Sequence, residues 1–275
     1  MNRRSFLKLV GVAAMLGPGR AWTTPANAIP RVGLQLYTVR RSMQHDFDGT
    51  LSKVAEVGYR EVELAGNFGH TPKEVKASLG RAGLIAPSSH VDYNTLGDQW
   101  ASTLEGAKII GQQYIVCPSI DEKVRQAPGG WQRAAETLNR AGEAAKKAGI
   151  QFAYHNHWFE FQPSGGKLPY DILLEQTDPH LVKMEMDIFW LTKGGSDPRV
   201  YFHRYPGRFP MVHVKGRDRN GEMSEVAADN SIDWRAIFAL SQEAGIQHYF
   251  VEHDDPKDEF GSIRASFNYL RELTF

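Results

Sequence analysis

One unit recurs along this chain: a run at helical spacing, a glycine, then a short apolar run. The junctions read Glu56-Val57-Gly58, Arg81-Ala82-Gly83, Ile109-Ile110-Gly111, Lys147-Ala148-Gly149 and Glu243-Ala244-Gly245. Glycine adopts the left-handed conformation that ends a helix and turns the chain back into a sheet. The unit therefore predicts buried strands alternating with crossover helices, and such strands pair parallel. Strands are expected at 32–37, 59–64, 84–90, 113–117, 150–155, 181–187, 210–215 and 246–252. Helices are expected at 46–58, 72–82, 100–110, 131–148, 170–176, 232–244 and 258–270, with a less regular stretch over 197–205. Eight strands alternating with helices in a chain of 275 residues give a single-domain α/β fold, the (β/α)8 TIM barrel. A doubly wound open sheet usually carries a glycine-rich turn after its first strand. Here that turn reads Tyr37-Thr38-Val39-Arg40-Arg41, with no dinucleotide or P-loop fingerprint.

The first residues stand apart from this pattern. Asn2-Arg3-Arg4-Ser5-Phe6-Leu7-Lys8 is a twin-arginine motif, followed by an apolar run from Leu9 to Leu16 that is too short to span a bilayer. Ala26 and Ala28 are small residues at the positions a signal peptidase reads. Residues 1–28 are thus expected to be a leader that exports the folded protein to the periplasm, leaving the barrel at 29–275. Cys117 is the single cysteine, which excludes an intramolecular disulfide and a cysteine-rich metal site. Lys+Arg and Asp+Glu each total 32, so no net charge draws the chain to nucleic acid or an anionic membrane.

Barrel chemistry gathers at the carboxyl ends of the strands. The expected strands end in Gln35 and Tyr37, Glu61 and Glu63, His90, Cys117, His155 and His157, Glu185 and Asp187, His213 and Lys215, and Glu252. Side chains alternate between the two faces of a strand. Glu185 and Asp187 therefore share a face, with Met184 and Met186 opposite. His213 and Lys215 share a face against Val212 and Val214, and Glu252 lies on the face of Phe250. If those faces point inward, Asp187, His213 and Glu252 converge from three adjacent strands, and His155 completes a four-ligand set. Such a mixed oxygen and nitrogen shell suits Mn²⁺, Co²⁺ or Zn²⁺, and Mg²⁺ less well.

On these residues the chain resembles the sugar phosphate isomerase/epimerase family of xylose-isomerase-like TIM barrels. The likeness runs from Val32-Gly33-Leu34-Gln35-Leu36-Tyr37 through Glu61-Val62-Glu63-Leu64, Met186-Asp187 and Val212-His213-Val214-Lys215 to Val251-Glu252. It implies one divalent metal, often Mn²⁺, held by residues from strands five to eight, of which Asp187, His213 and Glu252 match the last three. The family's strand-five glutamate falls at His155, inside Tyr154-His155-Asn156-His157, a variant resembling that of exported members. The first ligand is then His155, His157 or Glu160, or the metal is held by fewer groups.

The resemblance further implies proton abstraction beside a ketone through a metal-stabilised enediolate, ending in reprotonation or in loss of a β-substituent. It assigns the base to His157 or Glu160 and stabilisation of oxygen charge to Lys215. It assigns substrate contacts to His90 and Glu63, and sugar stacking to Trp158 and Trp190 at the mouth. The loop Gly216-Arg217-Asp218-Arg219-Asn220-Gly221 tempers its arginines with an acid. A free sugar, keto-sugar or glycoside is therefore expected rather than a sugar phosphate. The partner is a small carbohydrate, with no nucleic acid and no membrane span, and a homo-oligomer is left open. Two other readings share the barrel: a carbohydrate binder without turnover, and a metal-dependent phosphodiesterase.

Overall fold

Eight strands close into a parallel barrel in the computed structural model, which describes residues 27–275. They are β1 Val32–Gln35, β2 Glu61–Ala65, β3 Ile85–His90, β4 Tyr114–Cys117, β5 Gln151–His155, β6 Val182–Asp187, β7 Met211–Val214 and β8 His248–Val251. Each pairs with its neighbour in chain order, and β8 closes on β1. The expected barrel is thus the observed one, with strand ends trimmed by a residue or two. Tyr37 leaves β1 for a 3₁₀ turn, while His157, Lys215 and Glu252 sit just past their ladders. The twin-arginine segment lies outside the described residues. Among the described residues, no helix is long and apolar enough to cross a membrane.

Six helices stand where the glycine-punctuated pattern places them: Phe47–Val57, Pro72–Ala82, Trp100–Ile110, Gly130–Lys147, Pro169–Gln176 and Glu259–Leu270. Short helices Arg40–His45 and Glu122–Gln126 are additional, and three further regions differ. The span 232–244 breaks into Trp234–Phe238 and Ser241–Ala244. The irregular stretch holds a helix at Pro198–Arg204, capped by the Asp197 side chain, with proline in its first turn. A further helix, Ile188–Lys193, follows β6 without a loop because Asp187 itself caps it, accepting from Trp190 N. Its run Ile188-Phe189-Trp190-Leu191 is apolar throughout and so shows no helical period.

Gly58 shows why the punctuation is glycine. Its φ is 127°, and an added Cβ would stand 2.5 Å from the Phe267 ring. Both the backbone and the space exclude a side chain there.

The alternation sorts the strands as expected. Met184, Met186, Val212 and Val214 pack outward against the helices. Tyr114, Val116, Ala153, Met211 and Phe250 form a separate apolar plug inside the barrel. Gly33 makes room for that plug, since a Cβ there would meet the Phe250 ring at 2.6 Å. Above the plug the inward side chains are polar. Cys117 does not join them: Val116 is the inward residue of β4, and Cys117 lies in the outer core, where burial lifts its thiol to about 12.

Candidate metal centre and cavity

His155 ends β5, Asp187 ends β6, His213 sits on β7 and Glu252 follows β8. Their ligand atoms all lie within 4.8 Å of one another, close to the roughly 4.4 Å span across a cation with bonds of about 2.2 Å. His155 Nε2 is 3.3 Å from Asp187 Oδ2, and His213 Nδ1 is 2.7 Å from Glu252 Oε2. That second contact lacks hydrogen-bond geometry, so His213 Nδ1 is a buried nitrogen with no bonded partner. An imidazole nitrogen and a carboxylate oxygen side by side out of hydrogen-bond geometry are what a cation between them would leave. The residues fit a divalent metal, and the ligand set expected for strands five to eight is brought together.

Asn156 holds the set in register. Its Nδ2 donates to Asp187 O, and its Oδ1 accepts from Asp187 N, both at 3.1 Å. The side chain thereby ties the chain past β5 to the last residue of β6.

Lys215 is buried with its Nζ 2.9 Å from Asp187 Oδ2, 2.8 Å from Glu252 Oε2 and 2.6 Å from Asp254 Oδ1. Burial alone would lower this ammonium, and the three carboxylates outweigh it and hold the pKa well above its ordinary value. Burial likewise raises the Asp187 carboxyl, but Lys215 and His155 bring it down to about 2. Three carboxylates, one ammonium and a divalent cation sum to zero charge, which suits a site this buried. Its ammonium is thus shared among three acids.

Below this centre lies a second polar layer. His213 Nε2 is 2.7 Å from Glu63 Oε2, so one imidazole faces the metal position with Nδ1 and Glu63 with Nε2. Glu63 also accepts from Gln35 Nε2 at 2.7 Å and Ser88 Oγ at 2.5 Å. It was expected to touch substrate. It is fully buried and already occupied, so it orients His213 instead. His90 shares Nε2 with Glu185 at 2.8 Å. Burial would lower the His90 pKa, but Glu63 and Glu185 outweigh it and raise it to about 9.

The centre forms the floor of a cavity of about 680 Å³, whose walls include His90, His155, His157, Lys215, Glu252 and Asp254. The imidazole of His157 stacks on Phe159 at 5.3 Å and meets His155 edge-on at 4.9 Å. Its Nδ1 is buried without a partner. Burial, then His155 and Lys215, push its pKa well below the usual value, so the ring is neutral.

Three expected site residues are placed elsewhere. Glu160 lies outside the cavity wall, where Tyr154 OH donates to Oε1 and His157 N donates to Oε2 at 2.8 Å. Both oxygens brace the loop after β5, which leaves neither for metal or substrate. Trp158 is 46% exposed and lies off the cavity wall, against Phe159. Trp190 flanks the centre without lining the cavity, its ring 5.5 Å from Lys215 Nζ. Asp254 was missed, although the alternation that joins Phe250 to Glu252 reaches it two residues later.

Burial raises the Glu160 pKa from 4.5 to about 7, against the opposing bonds from Tyr154 and His157. A carboxyl raised on folding contributes stability that is complete below its unfolded value and lost as pH climbs through the folded one. The loss, roughly 3 kcal/mol at most, falls between those two values. Glu160→Gln stays neutral, so its melting temperature should gain on the wild type between about pH 5 and about pH 8. A difference that is flat across this window would refute the assignment.

A family model described as "Xylose isomerase-like TIM barrel" matches residues 51–273. The chain belongs to this family. Among family relatives, the inosose dehydratase of Geobacillus kaustophilus (strain HTA426) is 28% identical over 213 residues, 68% of this chain and 67% of that protein. The inosose dehydratase of Lacticaseibacillus casei is 25% identical over 243 residues, 74% of this chain and 80% of that protein. A sugar phosphate isomerase/epimerase of Parabacteroides distasonis ATCC 8503 has the same barrel, with a TM-score of 0.76 and 27% identity over 90% of this chain and 96% of that one.

Proposed function

We propose that the protein is a divalent-metal-dependent lyase or isomerase that removes a proton beside the carbonyl of a non-phosphorylated sugar or keto-glycoside. The observation that carries this reading is the convergence of His155, Asp187, His213 and Glu252 on the floor of a cavity that also holds a neutral imidazole. Among the described residues lining that cavity none is an arginine, and its one lysine is held by three carboxylates. A phosphoryl group would find no free cation there. Two of the relatives are named inosose dehydratases, which favours loss of water as the outcome.

A cation bound at the centre supplies Lewis acidity to a substrate carbonyl oxygen and makes the neighbouring C–H more acidic. We assign Mn²⁺, with Co²⁺ and Zn²⁺ as ions of similar taste for mixed nitrogen and oxygen ligands. His157 takes the carbon-bound proton. Lys215 and Asp254 fix the angle of Asp187 and Glu252. His90, protonated near neutral pH, hydrogen-bonds a substrate hydroxyl. In elimination it gives its proton to that group as the C–O bond breaks, so that water departs. Residues 1–28 are assigned as the twin-arginine leader and the periplasm as the working compartment, on the motif and the small residues at 26 and 28.

The test is uptake of solvent deuterium. Mn²⁺-loaded protein should exchange the C–H beside the carbonyl of a ketose or keto-glycoside in D₂O, read by NMR across a panel of both. A metal-loaded protein that binds sugars yet labels none of them would overturn the enzyme reading in favour of a carbohydrate-binding barrel.

A further inference from the structure

The cavity continues beyond the metal centre. A second arm leaves the barrel mouth over the ends of β2 and β3 and enters the gap between helices Pro72–Ala82 and Trp100–Ile110. It runs along the outer face of β3, where Ser89 points between the inward Ser88 and His90. Protein interiors are close-packed and leave few such gaps. Here the residues that meet are small, namely Ala65, Ser89, Gly106 and Ala107. The two helices close the arm where a Cβ on Gly106 would stand 3.1 Å from Pro72 Cγ.

The far end of the arm holds a group with an unmet requirement. Gln112 is 8% exposed and lines the arm. Its Oε1 accepts from Ser89 Oγ at 3.1 Å, while its Nε2 has no partner. Buried amides in folded proteins are paired unless something else is meant to meet them.

The size of the cavity agrees. At about 680 Å³ it lies in the range of sites that take drug-sized ligands, more than a single sugar ring needs. A single sugar ring at the metal centre would leave the arm unfilled.

We propose that this arm is a subsite for an apolar, ring-shaped substituent on the substrate sugar, with an oxygen at its far end bonded to Gln112. The assignment rests on the sugar reading of the mouth and narrows it to glycosides. Pro72, Ala107 and Ile110 form the apolar walls, and Gln112 with Ser89 supplies the polar end.

The test uses ¹⁵N-labelled protein loaded with Zn²⁺, which is diamagnetic and leaves signals near the centre sharp, and para-nitrophenol, a flat ring with acceptor oxygens and no sugar. The Gln112 side-chain amide signals are identified by their loss in Gln112→Leu. Para-nitrophenol should shift that pair saturably, and about tenfold more of it should be needed in Ala107→Leu, whose side chain fills the arm. A wild-type pair that stays still at saturating probe overturns the proposal. Label uptake by ketoses without nitrophenol binding would overturn the arm alone. Nitrophenol binding without label uptake by any sugar would overturn the sugar reading, and the glycoside assignment with it.

Discussion

Asp187→Asn should abolish metal retention while leaving the barrel folded. The substitution is chosen because Asp187 has two tasks. Its Oδ1 caps the helix Ile188–Lys193 by accepting from Trp190 N at 2.8 Å, and its Oδ2 faces His155 and Lys215. Asparagine keeps the capping oxygen and removes the charge. Loss of an outer-shell partner costs about 10–100-fold in metal affinity, so loss of a ligand charge should cost more than about 100-fold. Mn²⁺ at a hundred times its dissociation constant stabilises a folded state by about 2.7 kcal/mol. The wild type should therefore melt a few degrees higher with Mn²⁺ present, and Asp187→Asn should not respond. Elemental analysis after dialysis gives the second reading. Metal at wild-type stoichiometry in the variant would remove Asp187 from the ligand set.

The barrel and half of this centre are legible in the sequence for one physical reason: a strand carries its orientation in every second residue. Met184 and Met186 outside, Glu185 and Asp187 inside, follow from period alone. So do His213 between its valines and Glu252 beside Phe250. What period does not carry is depth and partnership. Glu63 is on the right face but one layer too low, and only the barrel's stagger reveals that it meets His213 and not the substrate. Glu160 and Trp158 lie beyond β5 in a loop, where alternation has ended, and there the chain turns Glu160 back onto Tyr154. Asn156 is the converse case. It sits between two inward histidines, yet its bonds to the Asp187 backbone set the geometry of the centre. Helix Ile188–Lys193 was hidden because its signal is a cap, and the capping residue was read as a ligand. Asp187 is placed to be both.

His157→Asn should keep the metal and lose proton transfer. In the structure His157 lines the cavity next to His155, with its ring held flat against Phe159 and its Nδ1 free of any partner. Asparagine preserves a polar side chain of similar reach at this position and cannot take a proton from carbon. A positioned general base contributes typically 10²–10⁴-fold, so deuterium uptake should fall by about that factor. His155, Asp187, His213 and Glu252 remain, and metal content should stay at the wild-type level. That separation decides between two roles still open to His157, because a ligand would take the metal with it. Metal lost together with exchange would make His157 part of the shell and leave the base to another group. Exchange at the wild-type rate, with metal in place, would clear His157 of both roles.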